Sequence, residues 1–320
     1  MQDLYRSDRE MVLVALGGNA LISKGERGTV EEQERNAERI CGKLMTLVER
    51  DYNIVITHGN GPQVGMQILK NDLARDELPP MPLDVLVAET EGSMGYFLQN
   101  AFLNHLMRRD IRRYVVTVIT QVVVDRDDPA FEHPTKPVGM FYSEEDAKRL
   151  QESAGWKMVE DAGRGWRRVV PSPKPQKVVQ RFMIRHAAQE GNIVIAAGGG
   201  GIPIWIDENG DFRGVEAVVD KDLSSAVLAT HIKADLFIIL MPLPRVYLNF
   251  GKENQRPILR ASLDEIKRYY REGHFPPGNM GPKIEAVIYY LERGGKRAII
   301  TNADMLERAL DGQDGSHFSP

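Results

Sequence analysis

Glycine gathers at three places in this 320-residue chain, and each place follows a short apolar run. The clusters are Gly17-Gly18-Asn19-Ala20, His58-Gly59-Asn60-Gly61-Pro62 and Gly198-Gly199-Gly200-Gly201. Glycine lets backbone N–H groups approach an anion closely, and a helix that starts there adds a favourable dipole. The three clusters together point to a phosphate or carboxylate site. Three lysines stand in complementary places. Lys136 is bracketed by Pro134 and Pro137, Lys221 lies between Asp220 and Asp222, and Lys283 follows Gly281-Pro282. Near a helix N-terminus a lysine opposes the dipole, and a bound anion removes that conflict. Phosphoryl transfer needs positioning and charge stabilisation rather than a protein nucleophile. Glycine amides, lysines and Mg²⁺ supply both. His58 reads either as a base or as a histidine hydrogen-bonded within a turn.

Other chemistries lack their signatures. There is no G-x-x-x-x-G-K-[ST], G-x-S-x-G, H-E-x-x-H or Cys/His metal spacing. Gly59, Gly61 and Gly65 miss the dinucleotide spacing by one residue, so a dinucleotide oxidoreductase stays only as an alternative.

Strands must end at these glycines. Runs rich in Val and Ile at Met11–Leu16, Asn53–Thr57, Tyr114–Thr120, Asn192–Ala197, Leu236–Leu240 and Arg297–Thr301 read as buried strands. Helix-length stretches lie between most of them, at Val30–Arg50, Asp84–Arg109, Lys174–Glu190, Lys221–His231 and Pro282–Arg293, with Pro282 at a first helical position. This alternation predicts an α/β fold with a mostly parallel sheet covered on both faces. Ligands in such sheets bind beyond the carboxyl ends of the strands. From Asp125 to Pro175 the rhythm breaks into a proline- and tryptophan-containing excursion, read as a lid or wall over the site or as a surface embellishment. A hairpin is expected over Ile202–Ile206 and Asp211–Arg213, turning at Asn209-Gly210.

Composition narrows the class. With 42% hydrophobic and 27% charged residues, the chain is of globular type. A net charge of -4 gives no basic excess for nucleic acid. No apolar run approaches the ~20 residues that span a membrane. The N-terminus does not read as a signal peptide, and the location expected is cytoplasmic. The lone cysteine, Cys41, shares a helical stripe with Ala37, Ile40, Leu44 and Leu47 and is expected in the core.

In order along the chain, ALGGNA, THGNGPQVG, TQVVVD, HPTKPVG, EDAGRGWRRVVPSPKP, GGGGIP, GVEAVVDKDLSSA, YLNFGK and GHFPPGNMGPK resemble the carbamate kinases of the amino-acid kinase family. The likeness runs from about Met11 to about Phe318. It implies a three-layer αβα sandwich, one domain over 1–320 with a protruding subdomain at about 126–173, and a homodimer. It also implies reversible phosphoryl transfer between carbamoyl phosphate and ADP, giving ATP and carbamate, with Mg²⁺ bound mainly through the nucleotide phosphates. By this resemblance Gly17, Gly18, Asn19, Gly59 and Asn60 would hold the acid substrate and the transferring group. Lys136 would reach in from the subdomain, Lys221 and Lys283 would contact nucleotide phosphates, and Asp222, with Asp220 as second choice, would orient the lysines. Met241, Arg245, Tyr247 and Met280 would face the nucleotide. Two departures stand out. Met241-Pro242-Leu243-Pro244-Arg245 replaces a Thr-(Asp/Gly)-Val-Asp type run, with Arg245 a possible phosphate partner, and Asn279 stands where serine is common. The alternatives are a kinase of the same fold acting on another small carboxylate, and a non-catalytic ligand-binding homologue.

Overall fold

A computed structural model of the chain describes residues 8–320 except 19, 24, 162, 164, 277 and 279. In chain order the first elements are β1 (Met11–Leu16), α1 (Val30–Glu49), β2 (Asn53–His58), α2 (Gly61–Leu73), α3 (Leu83–Arg108), β3 (Val115–Val118) and β4 (Gln121–Val124). The excursion holds β5 (Lys136–Tyr142), α4 (Glu144–Ala154), β6 (Met158–Glu160) and β7 (Trp166–Val170), and β8 (Pro175–Val178) follows. Next come α5 (Arg181–Gln189), β9 (Ile193–Ala196), β10 (Ile202–Ile206), β11 (Phe212–Gly214), α6 (Lys221–His231), β12 (Leu236–Leu240), β13 (Val246–Leu248) and β14 (Arg256–Ile258). The chain closes with β15 (Arg260–Ser262), α7 (Leu263–Arg271), α8 (Met280–Glu292), β16 (Arg297–Thr301), α9 (Leu306–Leu310) and β17 (Ser316–Ser319).

Among the described residues the main sheet has eight strands in the order β15-β17-β16-β12-β1-β2-β9-β3. The six strands from β16 to β3 run parallel, and β17 returns antiparallel to β16. Strand alternation divides the core. Met11, Leu13 and Ala15 of β1 join the cluster under α5, α6 and α8, whereas Val12, Val14 and Leu16 join the one under α1, α3 and α9. Each face therefore carries a helical layer, the three-layer α/β arrangement expected for near-continuous apolar strands. Cys41 is buried in the second cluster, its thiol directed at the Leu98 carbonyl.

The excursion folds as its own antiparallel sheet, β5-β7-β6, while β4, β8, β10 and β11 make a second small sheet. Ile206 pairs with Phe212 across the hairpin, and Gly210 turns it with φ 83°. Some expected boundaries move. The stretch Lys174–Glu190 is not one helix. Pro173 and Pro175 hold its start extended, Pro175–Val178 pairs antiparallel with β4, and the helix begins at Arg181. Tyr114–Thr120 shortens to Val115–Val118. Helix α8 begins at Met280, so Pro282 lies inside its first turn, where backbone N–H groups lack intrahelical partners anyway.

Helix α2 docks the excursion onto the body. A Cβ added to Gly65 would lie 3.2 Å from the Gly139 Cα in β5, so the two backbones meet with no side chain between them. Gly65→Leu is expected to push the β5-β7-β6 sheet off α2. Amide exchange should then quicken across 136–170 while β1, β2 and β12 keep their protection. Equal protection in both regions would show that this contact does not seat the excursion.

Candidate active site

The parallel strands end along one edge, with Leu16 opposite His58, Leu240 opposite Thr301 and Ile195 opposite Ile56. The glycine clusters emerge there side by side. A Cβ on Gly59 would lie 2.7 Å from the Gly18 Cα, so the turns after β1 and β2 touch backbone to backbone. Beyond β9, Ala197, Gly199, Gly200 and Gly201 all have positive φ. At Gly199 a Cβ would meet the Asn60 amide at 2.2 Å, and at Gly200 it would meet the Val219 carbonyl at 2.3 Å. The third turn thus packs against both the second turn and the start of α6.

Helix α6 begins with alternating charge. Asp220 caps it, accepting from the N–H groups of Asp222 (3.0 Å) and Leu223 (3.4 Å). Behind it, the Thr57 and Ser225 hydroxyls lie 2.6 Å apart and couple the end of β2 to α6. Lys221 Nζ donates to Asp222 Oδ1 at 2.5 Å, and Lys283 Nζ donates to Asp222 Oδ2 at 3.0 Å. Lys136, at the start of β5, donates to Asp220 Oδ2 at 2.9 Å. Three ammonium groups from three separate elements therefore gather around two neighbouring carboxylates and leave a net positive charge. Burial alone would raise the Asp222 pKa, but the Lys221 and Lys283 ammonium groups outweigh it and hold the carboxyl below its usual range. For Lys221 burial dominates and lowers the pKa against the pull of Asp222, with Lys283 adding repulsion.

A cavity of about 800 Å³ opens beside this cluster. Gly17, Gly18 and Lys283 line its polar side, and Met241, Leu243, Tyr247, Phe250, Phe275 and Met280 line its apolar side. Ser23, Arg39, His274, Asn302 and Asp304 also reach the lining, so polar groups punctuate a largely apolar wall, as in a small-molecule site. Of the residues singled out by sequence, Gly17, Gly18, Gly59, Asn60, Lys136, Lys221, Asp222 and Lys283 stand at the strand-end edge. Met241, Tyr247 and Met280 line the cavity. Asn19 and Asn279 lie outside the described residues. Arg245 departs from expectation. Its guanidinium pairs with Asp314 at 3.0 Å and is not part of the cavity wall, so its charge is already committed near the C-terminus. Asp220 was the second choice for orienting lysines, yet it holds Lys136 while Asp222 holds the other two.

Two buried polar residues escaped the sequence reading. Thr90 and Glu91 sit mid-helix in α3 and are 0% and 1% exposed. No spacing signal marks them, because a polar pair inside a long helix reads as solvated surface. Burial pushes the Glu91 carboxyl well above its usual range, opposed by the N–H groups of Thr120 and Gly198. His58 is buried at the end of β2, with Nδ1 3.2 Å from the Gly59 carbonyl. Burial pushes its pKa down to about 4, and Lys221 adds to the effect. The ring is neutral at pH 7 and hydrogen-bonded in its turn, the second of the two readings.

The sequence matches the amino acid kinase family over residues 10–302. It is 47% identical over 308 residues to the carbamate kinase of Thermococcus kodakarensis, covering 95% of this chain and 98% of that one. It is 46% identical over 313 residues to the carbamate kinase of Pyrococcus horikoshii, covering 97% and 99%. Among solved structures, the carbamate kinase from Giardia lamblia bound to AMP-PNP superimposes with a TM-score of 0.92 at 38% identity, covering 98% of this chain and 99% of that one.

The His58 shift has a consequence for stability. Between its unfolded value of 6.5 and about 4, the unfolded chain binds a proton at this ring that the folded chain refuses. Stability therefore falls as pH drops through that window, by about 3 kcal/mol for this group once both limits are passed. Urea unfolding of wild type and His58→Gln between pH 4 and 7 is expected to show a shallower acid-side loss in the variant. Parallel curves would mean that the ring titrates alike in both states.

Proposed function

We infer that this chain, which belongs to the amino acid kinase family, transfers a phosphoryl group reversibly between carbamoyl phosphate and ADP, giving ATP and carbamate. The observation that carries this reading is the Lys221–Asp222–Lys283 cluster, joined by Lys136 through Asp220, where three glycine turns converge. It is a site for a migrating phosphoryl group. In the ATP-forming direction a β-phosphate oxygen of ADP attacks phosphorus. The bond from phosphorus to the carbamate oxygen breaks, and carbamate leaves with the electron pair. No protein atom bonds to phosphorus, so the chain's part is alignment and charge.

The roles divide by position. Gly17, Gly18, Gly59 and Asn60 hold the acid and the phosphoryl oxygens, and Asn19 is assigned with them because it follows Gly18 in the sequence. Lys221 and Lys283 neutralise the phosphates on the nucleotide side. Lys136 reaches the acid side from the excursion, taken as a protruding subdomain over about 126–173 of a single domain. Asp222 and Asp220 keep the ammonium groups apart and aimed by charge-assisted hydrogen bonds. Met241, Tyr247 and Met280 face the nucleotide. Among the described residues no cluster of three metal-ligating side chains is present, and both site carboxylates already hold lysines. These residues fit a Mg²⁺ ion that would be carried by the nucleotide phosphates contacted by Lys221 and Lys283 and would supply further charge neutralisation there.

Two wider assignments complete the reading. Strand β3 is an open edge of the main sheet, flanked by exposed Tyr114 and Ile119, and α3 exposes Tyr96 and Met107. This supports a homodimer across that edge. Among the described residues no helix is long and apolar enough to cross a membrane, and the single cysteine is buried. A cytoplasmic location accords with both.

Lys136→Ala is expected to lower kcat by about 10²–10³, the cost of removing one charge-stabilising donor. Its Tm should stay near wild type because Lys136 is partly exposed. Lys283→Ala should lose similar activity and also Tm, since it leaves the buried Asp222 with one partner fewer. A luciferase-coupled assay and a thermal melt decide this, and full activity in either variant rejects the assignment. Replacing Met241–Pro244 with Thr-Asp-Val-Asp should raise ADP affinity and widen its margin over GDP, several-fold for one or two hydrogen bonds at about 0.5–1.5 kcal/mol each. Unchanged calorimetric affinities for both nucleotides would place that run outside the site.

A further inference from the structure

Helix α3 passes behind the turns that receive the acid substrate, and its polar pair Thr90-Glu91 holds two of them. The Thr90 hydroxyl donates to the Val87 carbonyl at 2.7 Å and accepts from the Asn60 amide at 2.8 Å. A hydroxyl has one hydrogen, and here it is spent on Val87. Toward Asn60 the oxygen can therefore only accept, which settles which end of that amide faces α3. The Asn60 nitrogen is turned to the helix, while the same side chain lies against Gly199. Glu91 acts one residue further on. Its Oε2 accepts from the Thr120 N–H at 2.8 Å, and its Cγ borders Gly198. The Thr120 hydroxyl donates to the Val118 carbonyl at 2.6 Å and accepts from the Ala197 N–H at 2.9 Å, where the glycine-rich turn begins. Burying this much polarity inside a helix is costly unless it fixes something.

We propose that Thr90 and Glu91 are positioning residues for the acid substrate, Thr90 by fixing the amide orientation of Asn60 and Glu91 by holding the glycine-rich turn through Thr120. The proposal rests on the functional reading above. It adds a reason for the burial of both residues, since neither is among the lysine-cluster contacts and the nucleotide cavity lining. Glu91 serves as an acceptor toward backbone N–H groups, through Oε2 at Thr120, and the side-chain carbonyl of glutamine can fill that acceptor role. The raised pKa of Glu91 agrees with a neutral acceptor.

The test separates this proposal from the reading it rests on. Turnover of carbamoyl phosphate with MgADP by the wild-type protein tests the reading; ratios of variant to wild type, and a measurement that needs no substrate, test the proposal. Thr90→Val removes the acceptor at nearly constant volume. It is expected to lower kcat/KM for carbamoyl phosphate about tenfold, as for a buried donor left unpaired, with KM for MgADP unchanged. Thr90→Ser should restore most of the loss. Without substrate, Thr90→Val should quicken amide exchange at 58–61 and 197–201 while the rest of α3 keeps its protection. Glu91→Gln should recover the activity lost in Glu91→Leu and keep the wild-type pH profile. Equal impairment in Thr90→Val and Thr90→Ser would overturn the part assigned to Thr90, as would parallel movement of both KM values or unchanged exchange at the two turns. A Glu91→Gln variant as inactive as Glu91→Leu, or one with a displaced pH profile, would overturn the part assigned to Glu91.

Discussion

The buried carboxylate of Asp222 is the contact on which the site depends. Ammonium groups repel one another, and repulsion grows as water is removed. Lys221 and Lys283 nevertheless share one small buried space, because each takes a different oxygen of the same carboxylate. A carboxylate with one partner would be poorly compensated there, and the two lysines without it would drive each other toward solvent. The arrangement also dictates architecture. Asp222 is in the first turn of α6, so the lysine of α8 reaches it only if α8 packs alongside, which it does through Ile284, Val287 and Tyr290 in the core under that face. Asp220, two residues earlier at the cap of α6, extends the same device to the excursion by holding Lys136. Helix packing and the seating of the excursion thus meet at two side chains.

Glycine performs the opposite service. Where the lysines bring charge, the turns after β1, β2 and β9 bring bare backbone, and they fit together only because side chains are absent. Gly59 lies against Gly18, Gly199 against Asn60, and Gly200 against the carbonyl before the α6 cap. The result is three turns packed backbone against backbone at the ends of parallel strands, pinned by internal bonds such as Gly59 N–H to the Leu16 carbonyl and Gly201 N–H to the Gly198 carbonyl.

Much of this was legible in the chain. Buried parallel strands announce themselves as apolar runs, the glycines mark their ends, and a lysine opposing a helix dipole at Lys221 asks for an anion. Partnerships were not legible. Lys136 and Asp220 are far apart in sequence, and tertiary contacts bring that sheet near α6: Gly65 against Gly139, the Arg168–Glu216 pair and the Val218 N–H on the Pro171 carbonyl. Prolines misled at Lys174–Glu190, where a helical pattern downstream concealed the extended Pro175–Val178. Arg245 looked available for a phosphate, because nothing in its neighbourhood foretells Asp314 folding back from the C-terminal turn. Thr90 and Glu91 were invisible for a related reason. Their burial comes from three loops closing over α3, and periodicity within a helix carries no record of what covers it.

The two halves of the site differ in how they constrain sequence. Around the lysines the requirement is charge and hydrogen bonding, so replacing a buried member such as Asp222 or Lys283 leaves its partner short of a contact. The cavity is walled by Met241, Leu243, Tyr247, Phe250, Phe275 and Met280, which pack by shape, with Arg39, His274 and Asp304 also in its lining. Apolar contact discriminates weakly between ligands of similar size, whereas a buried hydrogen-bonding group rejects the ligand that cannot pair with it. A run such as Met241–Pro244 can therefore change its chemistry without disturbing the lysine cluster, which is anchored through Asp222 and Asp220 rather than through the cavity wall.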